Sequence, residues 1–262
     1  SGAALCIASS DLAEALAYEL TSACRLLVFG DGDWRRLAAE EPIAPLERDA
    51  DAPAWIFYTS GTTGRPKGAV LTHRNLWAMT VAYLADVDYL TPEDALLHVS
   101  AQSHASGLFG LSHLAKATHQ ILPPSGGFDP GELAQLLTLG RSMTLFVPPT
   151  GLRRLLYDPA FDSAPEENLR SLLLGAAPVY VADLKAAYER FGPRLWNGYG
   201  QGESPCTITA LSKELMAAAL DAGDEARLQS VGIARSGITL AVLDEAGRAL
   251  PPGEVGEICV RG

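Results

Sequence analysis

One segment of the chain combines glycines, hydroxyl side chains and a lysine in a way that suits phosphate binding. It reads Tyr58-Thr59-Ser60-Gly61-Thr62-Thr63-Gly64-Arg65-Pro66-Lys67-Gly68. Glycines let the backbone turn tightly and approach a ligand, while hydroxyls, free N–H groups and an ammonium group can surround phosphate oxygens. The P-loop pattern is excluded, because it requires the lysine directly after its second glycine. The segment therefore predicts a phosphate-binding loop of another kind, with a flexible surface linker as the alternative.

Predicted strands and helices must hold this loop in place. A strand at residues 54–58 leads into it, and a helix at 75–89 follows it. Elsewhere, short apolar runs alternate with stretches of helical periodicity, which predicts an α/β fold with parallel sheets flanked by helices. The further predicted strands lie at 4–8, 26–29, 96–99, 120–122, 144–147, 171–174 and 194–197, and the further helices at 11–22, 108–117, 130–139, 150–156 and 181–191.

Two stretches depart from this alternation. Residues 30–53 are polar and acidic and contain proline, so they are predicted to form a connection. Beyond residue 230 the predicted strands at 240–244 and 257–260 follow each other closely and are joined by segments rich in turn residues. This change predicts the start of a β-rich subdomain at the C-terminal end.

Composition narrows the function classes. The 262 residues are 48% hydrophobic and 19% charged, which predicts a folded chain with a substantial core. The net charge of −11 argues against a nucleic-acid or anionic-membrane surface, so no nucleic-acid partner is expected. No apolar run predicts a transmembrane segment, and the N-terminus lacks the basic region of a secretory signal. The four cysteines are scattered, which favours a reducing, cytoplasmic location without disulfides or a zinc site.

Further motifs follow the loop in a fixed order. Ser103-His104-Ala105-Ser106-Gly107 comes first, and Gly175-Ala176-Ala177-Pro178 follows a predicted strand. Asn197-Gly198-Tyr199-Gly200-Gln201-Gly202-Glu203 comes next. The last is Ser230-Val231-Gly232 with the segment 250–262, LPPGEVGEICVRG. Any one of these motifs has an ordinary structural interpretation, but their order and spacing behind the phosphate loop favour a common functional one.

Together the motifs resemble those of the adenylate-forming (AMP-binding) superfamily, which includes acyl- and aryl-CoA synthetases, nonribosomal peptide adenylation domains and beetle luciferases. The segment 58–68 is similar to the phosphate-binding signature of that family. The later motifs resemble its H-x-x-G, G-[GA]-A-P and Y-G-x-T-E elements. The resemblance implies an ATP-binding α/β core at 54–229, preceded by the end of a first subdomain at 1–53 and followed by a β-rich segment at 230–262.

The resemblance also implies roles for individual residues. Lys67, Thr62 and Thr63 would contact the β- and γ-phosphates, Tyr199 would pack on adenine, and His104 would orient the substrate carboxylate and gate the path of a thiol. Glu203 and Thr63 would hold Mg²⁺, and the predicted catalytic residues are His104, Lys67 and Glu203. The predicted ATP-binding residues are Thr59, Ser60, Gly61, Thr62, Thr63, Gly64, Lys67, Gly175, Ala176, Ala177, Pro178, Asn197, Gly198, Tyr199 and Gly200. One departure stands out, since Gly202 occupies the place of the family's threonine.

The stretch before His104 bears on the kind of acid. Amino-acid adenylation domains normally carry an aspartate there to pair with the substrate ammonium, whereas residues 100–104 contain no acid. A CoA ligase acting on an acid without an α-amino group is therefore preferred. The resemblance also implies pocket residues, which are mostly small or apolar and therefore favour a fatty or aryl acid. They are Gly198, Gly200, Ser204, Pro205 and Cys206.

The implied reaction activates a carboxylic acid to acyl-AMP with release of pyrophosphate and then transfers the acyl group to coenzyme A. ATP, Mg²⁺ and coenzyme A are the expected cofactors and co-substrate. A carrier-protein thiol as acceptor, a non-catalytic nucleotide binder and a homodimer all stay open. We expect the chain to be the middle of the family's large N-terminal domain, without the C-terminal lid domain, and to have little full-reaction activity alone.

Overall fold

The structure is a computed structural model that describes residues 2–59 and 66–262. The chain divides into two compact units, Ser1–Glu47 and Arg48–Gly262. The predicted loop residues Ser60, Gly61, Thr62, Thr63 and Gly64 lie outside the described residues.

The first unit is a small α/β element. It contains β1 (Leu5–Ala8), α1 (Ser10–Glu19), β2 (Arg25–Val28) and α2 (Gly32–Ala38), and β1 and β2 pair in parallel. Helix α2 occupies part of the stretch predicted as a connection. The Asp31 side chain caps it by accepting a hydrogen bond from the Trp34 N–H at 2.7 Å. A capping signal was therefore present in a segment whose polar composition resembles a linker.

The second unit begins with an antiparallel hairpin. Strands β3 (Pro53–Thr59) and β4 (Lys67–Thr72) pair only with each other within the described residues. The strand predicted at 54–58 is present as β3, but it belongs to this separate antiparallel ribbon and not to a parallel sheet. Strand β4 was missed because Lys67-Gly68 has the composition of a turn. Leu71 is nevertheless buried while Val70 is exposed, as a half-buried strand requires.

The hairpin leads directly into helix α3 (His73–Asp86). Thr72 and Asn75 form a capping box at its start, in which each side chain bonds the other residue's backbone N–H. The helix therefore begins two residues before its predicted start.

A seven-stranded sheet forms the centre of the unit, and the predicted α/β fold class is confirmed. The strand order is β11-β10-β9-β8-β7-β5-β6, in which β5 to β9 run parallel and β10 and β11 antiparallel. The strands are β5 (Asp94–Leu97), β6 (His119–Ile121), β7 (Ser142–Val147), β8 (Leu169–Leu174), β9 (Leu195–Tyr199), β10 (Thr209–Leu211) and β11 (Ile233–Ala234). The helices are α4 (Ala105–Leu114), α5 (Pro130–Leu137), α6 (Pro149–Tyr157), α7 (Val181–Phe191), α8 (Lys213–Ala222) and α9 (Glu225–Leu228).

Alternating side chains of the sheet build two cores. Leu145, Leu172 and Leu195 belong to one cluster, which helices α5 to α9 cover. Phe146, Leu173, Trp196 and neighbouring side chains form the other cluster with residues of α3 and α4. Since both faces are buried, successive residues of the central strands are apolar where they contact the two clusters, as expected of a parallel sheet.

The end of the chain forms a second antiparallel ribbon. Strands β12 (Thr239–Leu243) and β13 (Glu257–Arg261) pair over their full lengths, which agrees with the predicted β-rich start. In the described parts of the chain, every helix is too short or too polar to cross a membrane.

Candidate functional site

A cleft of about 730 Å³ lies where the parallel strands of the sheet end. In open α/β sheets, ligands bind at the carboxyl ends of the strands. The residues that follow β5, β7, β8 and β9 and line the cleft are Ser100, Ala101, His104, Pro148, Gly175, Ala176, Gly200, Gln201 and Gly202. Tyr58, Thr59 and Pro66 line it from the hairpin. The structure therefore brings the described flanks of the motif at 58–68 to one cavity with residues of the motifs at 104, 175 and 199.

The body of the cleft is apolar and aromatic. Phe109 packs edge-on against Phe146 and Trp196, with ring centroids 5.5 Å and 6.5 Å apart. These rings and Phe57, Leu108 and Leu174 line the cavity. Among the described lining residues there is no Asp, Glu, Lys or Arg. The cleft therefore suits a ligand with a large uncharged portion.

His104 contributes an imidazole to the lining of this apolar cleft. It is the N-cap residue of α4, and its exposed side chain places Nδ1 2.9 Å from the Ser103 carbonyl oxygen. A carbonyl oxygen only accepts, so Nδ1 carries a hydrogen, and in the neutral imidazole Nε2 is then the nitrogen with the free lone pair. This tautomer can accept a hydrogen bond from a ligand or from an incoming thiol.

A buried hydrogen-bond chain fixes the helix that carries His104. The Gln120 side chain donates to the Gly110 carbonyl, so its oxygen faces His98 Nε2 at 2.9 Å and accepts the hydrogen there. His98 Nδ1 then accepts from the Ser106 hydroxyl at 2.8 Å. Burial lowers the pKa of His98, which favours this neutral form. Neither His98 nor Ser106 was assigned a function from the sequence.

Glycine and alanine form the turn after β8. A side chain at Gly175 would meet the Gly198 carbonyl oxygen at 3.0 Å and the Phe146 ring at 3.2 Å, so the strand ends approach closely there. Ala176 has φ +69°, a left-handed conformation that costs a non-glycine residue about 1 kcal/mol. Backbone strain at a ligand cleft is a feature of functional sites.

The loop after β9 forms the opposite wall. Tyr199 is half-buried, and its hydroxyl accepts a hydrogen bond from Gln201 Nε2 at 3.1 Å. A side chain at Gly200 would meet the Cys206 Cα at 2.7 Å, and one at Gly198 would overlap the Trp196 ring. These glycines therefore allow the loop and the indole to lie against each other.

Several predicted site residues do not line the described cleft. Lys67 is exposed and pairs with Thr59 across the hairpin, so it lies beside a lining residue. Glu203 is exposed in the loop after β9 and, among the described residues, makes no ion pair. The predicted residues that lie outside the lining are Lys67, Glu203, Ala177, Pro178, Asn197, Ser204 and Pro205.

Sequence reasoning missed the aromatic wall. Phe57, Phe109, Phe146 and Trp196 carry no motif, and each could have been read as a core residue. A signal was available in the alternation of the strands, because Phe146 near the carboxyl end of β7 and Trp196 near the start of β9 both point to the α3 and α4 side.

The whole chain matches one protein family. A family model described as AMP-binding enzyme covers residues 1–262. The chain belongs to the AMP-binding enzyme family. The resemblance found in the motifs is thereby confirmed.

Curated relatives of this AMP-binding chain include acid–CoA and acid–carrier-protein ligases and a probable nonribosomal peptide synthetase. It is 32% identical over 222 residues to the medium/long-chain-fatty-acid–CoA ligase FadD8 of Mycobacterium tuberculosis, covering 85% of the chain and 37% of the relative. It is 33% identical over 263 residues to a feruloyl-CoA synthase of Amycolatopsis, covering 100% and 50%. It is 28% identical over 231 residues to the fatty acid–[acyl-carrier-protein] ligase ScoC of Streptomyces coeruleorubidus, covering 87% and 43%. The chain spans half or less of the length of these relatives.

A solved structure supports the fold. The ATP-bound MatB of Rhodopseudomonas palustris superposes with a TM-score of 0.81 at 28% identity, over 100% of this chain and 51% of that one. The two chains therefore share the architecture that places the cleft at the strand ends.

Proposed function

We propose that the protein activates a carboxylic acid by adenylation and then transfers the acyl group to coenzyme A. The observation that carries the proposal is the convergence of family motifs on one apolar cleft. Thr59, Gly175, Ala176 and Tyr199 line the same cavity as His104 and the aromatic wall. Membership of the AMP-binding family supports the nucleotide half of the proposal.

The chemistry requires positioning rather than a protein nucleophile. A carboxylate oxygen of the acid forms a bond to the α-phosphorus of ATP, and the bond from that phosphorus to the bridging oxygen breaks. Pyrophosphate leaves with the electron pair, and acyl-AMP remains. In the second half-reaction a thiolate adds to the acyl carbonyl and AMP leaves. In such displacements the protein accelerates the reaction by holding the reactants in position and by stabilising the transition-state charge with fixed dipoles.

The residues present fit a magnesium ion that arrives with ATP. The described residues contain no group of three His, Cys, Asp or Glu side chains close enough to share a metal. Mg²⁺ is commonly bound by one or two carboxylates together with substrate phosphates. The exposed Glu203 carboxylate suits that mode, and the ion would neutralise phosphate charge there.

The lining favours an acid with an uncharged body. A substrate ammonium in this cleft would face no carboxylate among the described lining residues, and burying an unpaired charge is costly. Aromatic rings at 5.5–6.5 Å spacing offer surfaces for aliphatic or aryl groups. We therefore propose a fatty or aryl acid as substrate rather than an amino acid.

Two alternatives to this function are considered. One differs in the thiol that accepts the acyl group, and the other has no catalytic activity. The relative ScoC, a fatty acid–[acyl-carrier-protein] ligase, supports a carrier-protein thiol as the alternative acceptor. Gly202, in place of the family's threonine, is the feature that favours a non-catalytic nucleotide binder. Intact Lys67 and Glu203 argue against the second alternative.

The first prediction concerns the first half-reaction. Carboxylate-dependent exchange of labelled pyrophosphate into ATP is measured with the intact protein and a panel of fatty, aryl and amino acids. We expect exchange with fatty or aryl acids and its reduction by at least about 100-fold in Lys67→Ala, because a cation near the phosphates is lost. Lys116→Ala, at another exposed lysine, is the matched control and should leave the rate unchanged.

The outcomes of this experiment separate the alternatives. Exchange confined to amino acids contradicts the proposed substrate class. Bound MgATP without exchange for any acid identifies a non-catalytic binder. Where exchange occurs, AMP formation that rises with coenzyme A, but not with a phosphopantetheine-bearing carrier protein, supports the CoA ligase, and the reverse result supports the carrier-loading enzyme.

A further inference from the structure

Gly202 lies directly against the Phe57 ring. A Cβ built at this glycine would collide with Phe57 Cδ1, lie 2.8 Å from Cε1 and lie 3.2 Å from Thr59 Cγ2. The backbone of Gly202 is not among those with positive φ. Glycine is therefore needed at position 202 for space and not for its conformational freedom.

A packed core holds Phe57 on the side away from the cleft. The Phe57 side chain is 9% exposed and packs with Leu71, Met79 and Leu108 in a core shared by the hairpin, α3 and α4. Well-packed interiors have few voids into which a ring could shift. The ring therefore occupies the volume that a side chain at position 202 would need.

The same ring also faces His104. The two ring centroids are 5.7 Å apart with planes tilted by 38°. Phe57, Gly202 and His104 all line the cleft, and Thr59 lies two residues along the same strand. Phe57 thus contacts both the loop after β9 and the residue that begins α4, at the point where the nucleotide-side and acid-side residues meet.

We propose that Phe57 and Gly202 form a matched pair, and that Phe57 is a positioning residue that sets the spacing between His104 and the loop at 200–206. This inference rests on the proposed function, because the spacing matters where the carboxylate of the acid meets ATP. It explains why the family's threonine is absent, since that side chain and this ring require the same volume.

The test is a double-mutant cycle in acid-dependent pyrophosphate exchange, measured with variants of the intact protein. Gly202→Ala and Gly202→Thr should each lower kcat/KM for the acid by at least about tenfold, since small displacements at a reacting centre are costly. Phe57→Val removes the two ring atoms that the new side chain would meet. Phe57→Val alone should also lower kcat/KM, because the ring that spaces His104 from the loop is lost. The double variants Phe57→Val/Gly202→Ala and Phe57→Val/Gly202→Thr should nevertheless be more active than the corresponding Gly202 single variants. Phe57→Leu keeps a δ-carbon and should give a smaller recovery.

Matched glycines control for general damage. A side chain at Gly200 would meet backbone atoms of Cys206, so Gly200→Ala should lose activity without rescue by Phe57→Val. Gly127 has open space around it, with Ser125 Oγ at 4.0 Å, so Gly127→Ala should behave as wild type. Thermal unfolding of every variant shows whether it is folded under the assay conditions.

The remaining outcomes test the matched pair of Phe57 and Gly202 and the positioning role of Phe57 separately. The matched pair is overturned if Gly202→Thr is harmless, or if the double variants are no more active than the Gly202 single variants. If Phe57→Val restores the thermal stability of the Gly202 variants but not their KM or kcat for the acid, the positioning role is overturned. Wild-type protein without exchange for any acid overturns the proposed function, whereas active wild-type protein with uncoupled positions overturns this inference alone.

Discussion

At the scale of single residues, surroundings decide what a reactive group can do. Cys206 lines the cleft and has φ +56°, with its carbonyl held by the Arg235 guanidinium at 2.5 Å. Burial raises the pKa of its thiol to about 12, and the charge of Arg235 offsets only part of that effect. The thiol is therefore protonated at neutral pH, and Cys206 contributes packing and not nucleophilic chemistry.

This protonation state predicts slow alkylation of Cys206. At pH 8 its rate with iodoacetamide should be at least about tenfold below that of Cys24 or Cys259, because the thiolate is the reacting form. Peptide mass mapping after timed pulses measures the three rates in one sample. Denaturation in urea should bring them together, and equal rates in the folded protein would contradict the buried, protonated thiol.

The motif residues of the site were predictable from the sequence, while their supports were not. Thr59, His104, Gly175, Ala176 and Tyr199 were identified because their spacing resembles a family pattern, and all of them line the cleft. Phe57 and Trp196 were missed because an aromatic residue in a strand has the same pattern whether it faces a core or a cavity. Their role depends on contacts between segments far apart in the chain.

At the scale of elements, one buried charge joins the end of helix α3 to the segment after β11. The Asp86 carboxylate accepts from Arg235 Nε at 3.3 Å and from the Ser236 N–H at 2.9 Å. The Arg235 side chain is 1% exposed, and its guanidinium lies 5.4 Å from the centre of the Trp196 ring. Burial lowers the pKa of Arg235, and Asp86 is the main group that opposes this shift.

Removal of this carboxylate should destabilise the protein strongly. Asp86→Ala leaves a buried guanidinium without its partner, so the free energy of unfolding should fall by about 3 kcal/mol. Urea denaturation measures the loss. Asp51→Ala is the matched control, because the Asp51–Arg74 pair is 2.7 Å long but 69% and 64% exposed, and its removal should cost under about 1 kcal/mol. Similar losses in both variants would argue against a buried structural pair.

Elements with strong periodicity were predicted well, and short ones were not. The strands that become β5, β7, β8 and β9 were found because each contains a short apolar run between turn or helical segments, as is typical of parallel sheets. Strand β10 has three residues, and its partner β11 has two, so neither has a readable period. Helix α8 was missed although Ser212 caps its start and Gly223, with φ +66°, ends it.

At the scale of the whole second unit, a polar network holds the amino ends of the strands. Asp88 accepts from the Ser171 hydroxyl and from Lys213 Nζ, both at 2.6 Å, and Arg170 pairs with Asp94 at 2.9 Å. Next to it the Tyr83 hydroxyl lies 3.3 Å from His113 Nε2. Burial lowers the pKa of His113 to about 4, although the charges of Asp88 and Asp94 oppose this, and it raises the pKa of Tyr83.

This network predicts acid sensitivity of folding. Between pH 6.5 and about 4 the unfolded chain binds a proton at His113 that the folded protein does not, so stability falls as the pH falls. The contribution over the whole window is about 3 kcal/mol. His113→Gln should flatten the pH profile of unfolding free energy in this range, whereas His119→Gln, at an exposed histidine, should not. An unchanged slope in His113→Gln would contradict the prediction.

The separation of the two strand ends has a consequence for protein engineering. Residues that follow the strands line the cleft, whereas residues that precede or begin them form the ion network. A combinatorial library confined to lining positions after the strands that have no assigned role, such as Ser100, Ala101 and Gln201, would therefore vary the surface of the cleft while leaving the anchoring charges intact. Stabilising substitutions selected at the opposite edge could then be combined with this library, because the free-energy effects of substitutions at sites with no shared contacts are nearly additive. Substitutions at the two edges of the sheet could therefore be selected in separate experiments and then combined.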